Sequence, residues 1–444
     1  MNQDSDPVIV SGEQSSKKEL LRSLIKSRLD HHHAPSVSKE TSLPDRFIRI
    51  EKLDHFQELE MERAYGEKIG LKNPYYILHE GVARDTTMVM GSRLLNFATY
   101  NYLGLNGDPR VDEAAIDSIQ KFGTSASASR LSAGERPPHR MLENELSDFL
   151  GTEDTVVFVS GHAACSSTIA TIAGPKDLVI HDRLIHNSSI VGAINSGAQR
   201  LAFPHNDMEA LNQILSQNRH RFEKVLIVVE GIYSMDGDLV PLPEIVHIKK
   251  KHGALLFLDE AHSIGAIGST GRGVTEHFQV PVTDVDILMG TLSKTFAGCG
   301  GFVSGSSALT YVLKYKASGL VYSVGMPPPV AAASHAALVV MRSEPERIQK
   351  LQKNGRMFWT LLRENGLNTG FSQGFHIVPV IIGSSIKTIR LANQLMNDGI
   401  LASPVTYPGV EERTARLRFF ISSDHTSYQI EVAVNAIADL ALAR

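Results

Sequence analysis

Two cysteines in 444 residues, Cys165 and Cys299, rule out a disulfide framework. They stand far apart without metal-ligand spacing, which argues equally against a structural zinc site. Long apolar runs are missing as well: none approaches the ~20 residues that a bilayer crossing requires. The opening Met-Asn-Gln-Asp-Ser-Asp lacks the basic and then apolar layout of a secretory signal, so the expected location is the cytoplasm. Positive charge is not in excess. Lys and Arg number 44 against 48 Asp and Glu, a formal net charge of -4, and the basic residues are scattered. That balance excludes a nucleic-acid footprint. No apolar run leads into Gly-x-Gly-x-x-Gly, so a nucleotide-binding module finds no support either.

What is present is enough chain for more than one core, since single cores rarely grow past roughly 250 to 300 residues. The composition changes along the chain suggest four parts. Residues 1–45 read as a flexible polar leader with one amphipathic patch at Glu19–Lys26. Its triplet His31-His32-His33 reads as solvated, because three consecutive side chains cannot converge on one ion from regular structure. Residues 46–96 follow, with helical spacing from Phe47 to Gly70 that predicts an amphipathic helix packed on something else. Tyr75 to Leu95 alternate as a small β-hairpin does.

A large domain is expected over 97–335. Helices are predicted near Val111–Phe122 and Met141–Leu150, flanking a Ser/Ala/Gly loop. Five strand-length apolar runs then alternate with gaps that accommodate helices: Thr155–Val159, Asp177–His181, Val225–Val229, Leu255–Leu258 and Ile287–Met289. The alternation predicts an α/β fold with a mostly parallel sheet covered on both faces. Beyond Pro327-Pro-Pro329 and a helix at Ala331–Arg342, residues 336–444 read as a small C-terminal α/β domain. Its predicted elements are helices at Arg347–Asn365 and Ile386–Asp398, strands at Val378–Ile382 and Arg416–Ile421, and a last helix from Tyr428.

In such sheets ligands sit beyond the carboxyl ends of the strands, so the residues that follow each run carry the functional information. They are Ser160-Gly161-His162, the stretch from His181 to His186, Glu230 to Ser234, Asp259-Glu-Ala-His262, and Gly290-Thr-Leu-Ser-Lys294. Lys294 leaves a buried strand for a turn broken by Gly298, Gly300 and Gly301. Desolvation there disfavours its ammonium form and frees the amine to form a Schiff base. A pyridoxal phosphate enzyme needs such a lysine, a carboxylate on the pyridine nitrogen, a partner for the ring hydroxyl, a group stacked on the ring and a phosphate cradle. The candidates, in that order, are Lys294, Asp259, His262 or Ser234, His186, and Gly161 and His162 with the hydroxyls of Thr291 and Ser293. A capping or core role explains each one singly, but the five together point to a cofactor site.

The sequence resembles the α-oxoamine synthase family of fold-type I pyridoxal phosphate enzymes, from about Phe97 to the carboxyl terminus. The motifs are Asn101-Tyr-Leu-Gly-Leu105, Ser129-Arg-Leu131, the run from Val229 to Asp238, Leu258-Asp-Glu-Ala-His-Ser-Ile-Gly265, Thr270-Gly-Arg-Gly273, Gly290-Thr-Leu-Ser-Lys294 and Ala415-Arg-Leu-Arg418. The likeness is greatest to serine palmitoyltransferase and to synthase domains attached to polyketide assembly lines. It implies a fold-type I transferase with a seven-stranded type of sheet and a small C-terminal domain. It implies that Lys294, Asp259 and His186 are catalytic, that Thr291 contacts the phosphate, and that Arg418 and Tyr100 face the substrate. The implied reaction is a decarboxylative condensation of a small amino acid (serine, alanine or glycine) with an acyl thioester on coenzyme A or an acyl carrier protein. A homodimer is implied too, with Ser323 reaching the partner's phosphate site. The chain departs from the family at His162 and Cys165, at Tyr100 where some members carry Asn, and at Gly325 where a hydroxyl is common. The alternatives are an aminotransferase or lyase on the same fold and a subunit of a heterodimeric synthase; the lysine argues against a non-catalytic subunit.

Overall fold

The computed structural model describes residues 43–442. The expected leader patch and histidine triplet lie outside the described residues. The chain forms two compact units, up to Gly70 and from Leu71 onward, so the division falls inside the expected 46–96 segment. In the first unit, a short helix Asp45–Ile48 and a 3-10 turn Ile50–Lys52 precede the helix Asp54–Lys68, and none of these elements contains a buried residue.

The second unit contains thirteen described strands. They are β1 (Thr86–Val89), β2 (Ser92–Asn96), β3 (Asp154–Phe158), β4 (Leu178–Asp182), β5 (Gln199–Phe203), β6 (Val225–Glu230), β7 (Leu255–Asp259) and β8 (Ile287–Thr291). After these come β9 (Gly301–Gly305), β10 (Ile377–Ile381), β11 (Ile400–Leu401), β12 (Ser403–Val405) and β13 (Arg416–Phe420). Seven of them make one sheet in the order β3-β9-β8-β7-β6-β4-β5. Only β9 runs antiparallel to its neighbours β3 and β8. The chain has the fold-type I transferase architecture, α/β with a mostly parallel seven-stranded sheet.

The strands read as continuous apolar runs because both faces are covered. Ile180, Ile227, Val229, Leu256, Leu258 and Leu288 enter one apolar core. Their alternating neighbours Val179, Leu226, Val228, Phe257, Ile287 and Met289 enter the other. The helix Gly161–Ile172 packs on the second face, its Ala164 and Ile169 buried beside those residues.

All five predicted strands are present within a residue or two of their expected bounds. Two further strands of the sheet escape the periodicity. The edge strand β5, Gln-Arg-Leu-Ala-Phe, is largely exposed and carries little apolar signal, and β9 is bracketed by glycines. The expected hairpin is β1–β2, to which β11 adds a parallel third strand. In the carboxyl-terminal region β10, β13 and β12 form an antiparallel sheet. Phe358, Val378, Leu417, Phe419, Ile430 and Val434 close its core. The helix Pro328–Ser343 runs across the expected boundary at residue 336 and buries Ala337, Leu338 and Met341 in the main core.

The seam between this smaller sheet and the main body depends on Gly237. Its φ of +72° suits glycine, and a Cβ built there would collide with the carbonyl of Ile377 at the start of β10. Gly237→Ala is expected to destabilise the protein by about 3 kcal/mol or more. A thermal melt matching that of the parent chain would overturn this account.

Candidate active site

Five parallel strands end on one side of a cavity of about 360 Å³, inside the roughly 300–1,000 Å³ usual for small-molecule sites. After β3, Ser160 caps the helix Gly161–Ile172 by accepting from Ala163 N at 3.0 Å. The first amides of that helix, at Gly161 and His162, line the cavity where the helix dipole favours an anion. Glycine is required at 161: a Cβ would stand 2.9 Å from Thr291 Oγ1, which closes the opposite wall. Thr291 itself donates to the Gly300 carbonyl at 2.9 Å.

After β4, His186 caps the helix Asn187–Ser196, and its Nδ1 lies 2.7 Å from Ser188 Oγ. Burial pushes the imidazole below its ordinary pKa, opposed by Asp259 and reinforced by Lys294. Ser234 arrives on the turn after β6 and donates its backbone N–H to Glu230 Oε2 at 3.2 Å. The ends of β6 and β7 place Glu230 directly beside Asp259 in register. Asp259 is 5% exposed and accepts from Ala261 N at 2.9 Å. Among the described residues no ion pair reaches it. Burial therefore raises its pKa, partly offset by that amide and by Lys294 and His186. Glu230 is raised further, to about 8, by burial and then by Asp259.

Lys294 follows β8 and points its amine into the cavity, 5.7 Å from the centroid of the Tyr100 ring. Desolvation brings its pKa down from 10.5 to about 8, against the pull of Asp259 and Glu230. His262 is buried, and its Nδ1 meets Tyr102 Oη at 2.8 Å. Burial drives it well below the ordinary range, so it stays neutral. From the smaller sheet, Arg418 on β13 reaches the cavity over the Phe420 ring, at 4.6 Å. It donates to the Ser234 carbonyl at 3.0 Å and lies 3.2 Å from Met235 Sδ. Its Nε is buried without a protein partner.

Comparison with known proteins agrees with this arrangement. The Aminotransferase class I and II family matches residues 92–437. The 8-amino-7-oxononanoate synthase of Symbiobacterium thermophilum is 37% identical over 372 residues, covering 84% of this chain and 94% of that protein. Among solved structures, serine palmitoyltransferase of Sphingomonas wittichii superposes with a TM-score of 0.84 at 31% identity, covering 88% of this chain and 98% of that one. The 8-amino-7-oxononanoate synthase of Francisella tularensis gives 0.67 at 26% identity, with coverages of 78% and 97%. The chain is an α-oxoamine synthase of this family.

The family's cofactor is pyridoxal phosphate, and this synthase's residues fit it. A buried aspartate without a cation, a half-buried, desolvated amine without a carboxylate at contact distance, and a helix amino terminus beside a threonine are the complement of a protonated pyridine, an aldehyde and a phosphate. Of the residues expected at the site, Tyr100, Gly161, His162, His186, Ser234, Asp259, His262, Thr291, Lys294 and Arg418 all line the one cavity. Ser323 does not; it is half-buried beside exposed Tyr322 and Val324. Sequence reasoning gave no role to Glu230 or Met235. The signal for Glu230 was available: a carboxylate ending an entirely apolar strand, as Asp259 does.

Only the neutral amine attacks an aldehyde. With Lys294 half-deprotonated near pH 8, the rate at which cofactor-free synthase captures pyridoxal phosphate is expected to rise about tenfold per pH unit below that point and level above it. Stopped-flow absorbance from pH 6 upward checks this. A plateau reached only near pH 10.5, as for a solvated lysine, would contradict the desolvation.

Proposed function

We propose that this synthase condenses a small amino acid (serine, alanine or glycine) with an acyl thioester, releasing carbon dioxide and the thiol and leaving an α-amino ketone. The observation that carries the reading is the meeting of Lys294, Asp259 and Arg418 in one cavity, in a chain of this family. The thioester is acyl-coenzyme A or an acyl carrier protein.

Pyridoxal phosphate, when bound, supplies an electron sink for the pair left on the amino acid's Cα. Lys294 is the residue of covalent attachment, and its neutral amine takes the Cα proton once the substrate is in place. Asp259 would hold the proton of the pyridine nitrogen. His186, which lines the cavity, would stack on the cofactor and orient the substrate carboxylate or protonate the new oxyanion. His262 and Ser234 would serve the ring oxygen, and Gly161, His162 and Thr291 would hold the phosphate. Arg418 places its planar fork on the amino acid carboxylate, with Tyr100 closing the same side. The atoms balance: Cα–H breaks, Cα bonds to the acyl carbon as the C–S bond breaks, the proton lost from Cα is matched by the one the thiolate takes, the carboxyl leaves as carbon dioxide, and a proton from solvent is delivered to Cα. The working unit is a cytoplasmic homodimer in which Ser323 serves the partner's phosphate site. The surface position of Tyr322, Ser323 and Val324 supports that reading, and no helix among the described residues is long and apolar enough to cross a membrane.

A panel of serine, alanine and glycine against both thioester types, read by carbon dioxide and thiol release, tests the reaction. One amino acid is expected to release both in equal amounts; turnover without carbon dioxide would point to an aminotransferase or lyase instead. Lys294→Ala is expected to abolish the bound cofactor's visible absorbance and lower turnover by about a thousandfold or more. Retention of both would remove its assigned role. Arg418→Ala is expected to weaken amino acid binding about a hundredfold, and an unchanged amino acid titration would refute its carboxylate role.

A further inference from the structure

Behind the cavity lies a second cluster of charges that the chemistry above does not use. His205, in the loop after β5, is held between two aspartates. Its Nδ1 lies 3.0 and 3.1 Å from the two carboxylate oxygens of Asp182, and its Nε2 lies 2.9 Å from Asp238 Oδ2. The His205 side chain is only 9% exposed, and those of Asp182 and Asp238 are 0% and 7%. With both ring nitrogens on carboxylates, both must donate, so the ring is an imidazolium. Burial works against that charge, but Asp182 and then Asp238 outweigh it and push the pKa up to about 10. The two partners differ. Asp182 ends below its ordinary range despite burial, whereas burial leaves Asp238 above it, so Asp182 is the principal counter-charge. Asn206 reinforces the clamp: its amide N donates to Asp182 Oδ2 at 2.8 Å and its Nδ2 to Asp238 Oδ2 at 2.9 Å.

What this clamp holds gives it meaning. Asp238 closes a turn in which Tyr233 N donates to Asp238 O at 3.0 Å and Gly237 N to Tyr233 O at 2.8 Å. Inside that turn stand Ser234 and Met235, whose carbonyl and sulfur seat the Arg418 guanidinium. The other end of the turn is tied to the smaller sheet, since Arg416 Nη1 donates to Asp236 Oδ1 at 2.6 Å and to the Met235 carbonyl at 3.0 Å. Arg416 and Arg418 are two apart on β13 and share a face. The turn is thus gripped from the smaller sheet through Arg416 and from the main sheet through His205. The seat of Arg418 is fixed only while both grips hold.

We infer that His205 is a positioning residue for substrate recognition: its imidazolium, bridging Asp182 and Asp238, holds the Tyr233–Asp238 turn so that Ser234 and Met235 aim the Arg418 guanidinium at the amino acid carboxylate. The inference rests on the reading of Arg418 given above. It has no bearing on the lysine chemistry, because His205 touches neither Lys294 nor the phosphate-side residues.

The test uses the full-length holoenzyme and two variants, His205→Gln and Asp238→Asn. The second keeps the shape of the turn and the Asp182–His205 pair, so it remains informative if the first folds poorly. Each is expected to raise the amino acid KM, and the dissociation constant from amino acid titration, by about tenfold, the equivalent of roughly 1.4 kcal/mol. kcat and the acyl thioester KM are expected to stay within about twofold of the parent. The decisive comparison places both changes in an Arg418→Lys background. If His205 acts through Arg418, neither change weakens amino acid binding further there. An additive loss in that background, a fall in kcat with unchanged amino acid KM, or a lowered melting temperature with unchanged affinity would each overturn the inference. Unchanged amino acid affinity in Arg418→Lys alone would remove the reading of Arg418 and the inference with it.

Discussion

A carboxylate at the end of a buried strand, with no cation beside it, is the constraint on which this structure turns. Asp259 is enclosed on both faces of the sheet, its neighbour across the strand pair is another carboxylate, Glu230, and the nearest amine is a lysine that is itself desolvated. In a medium of low polarity these three groups cannot all carry their ordinary charges. The protein tolerates the imbalance because the cavity accepts a cationic heterocycle. Catalytic tuning and ligand affinity then have one origin: the burial that makes Asp259 seek a cation also keeps Lys294 neutral enough to react.

Around this centre the supporting parts are rigid in different ways. The wall proposed for the phosphate is built from backbone, with a serine-capped helix start, a glycine that admits Thr291, and strand ends in tight register. The wall proposed for the amino acid is built from side-chain charge, with two arginines of one strand set against a turn whose far end is held by a histidine between aspartates. Backbone geometry suits a constant group such as a phosphate. Charged side chains suit a variable one, because a change of one residue moves the anchor without disturbing the sheet.

Much of this was legible in the sequence. Five of the six parallel strands announced themselves as apolar runs, and the rule that ligands gather beyond carboxyl ends was enough to bring His186, Ser234, Asp259 and Lys294 to one place. Arg418, far away in sequence on another sheet, came only through resemblance, because nothing in local periodicity says that β13 returns to the main body. β5 and β9 were missed for physical reasons, one being an exposed edge and the other a strand framed by glycines. The His205 cluster was invisible for a different reason: Asp182 ends β4 while His205 and Asp238 sit on two separate connections, and only packing brings them together.

The antiparallel strand β9 has a consequence of its own. Thr291 and Gly301 are paired across β8 and β9, so the segment that carries Lys294 leaves the sheet and re-enters it beside its own exit. Within it Leu292 N meets the Gly300 carbonyl and Gly298 N the Leu292 carbonyl, both at 2.9 Å. The lysine therefore stands on a small closed ring of backbone rather than on an open connection. Such a ring has little tolerance for insertion or deletion, since its length is fixed by the register of two strands. Diversification of this scaffold is channelled to the opposite wall, where Tyr100 and Arg418 enter from separate parts of the chain, and the reacting amine stays where it is.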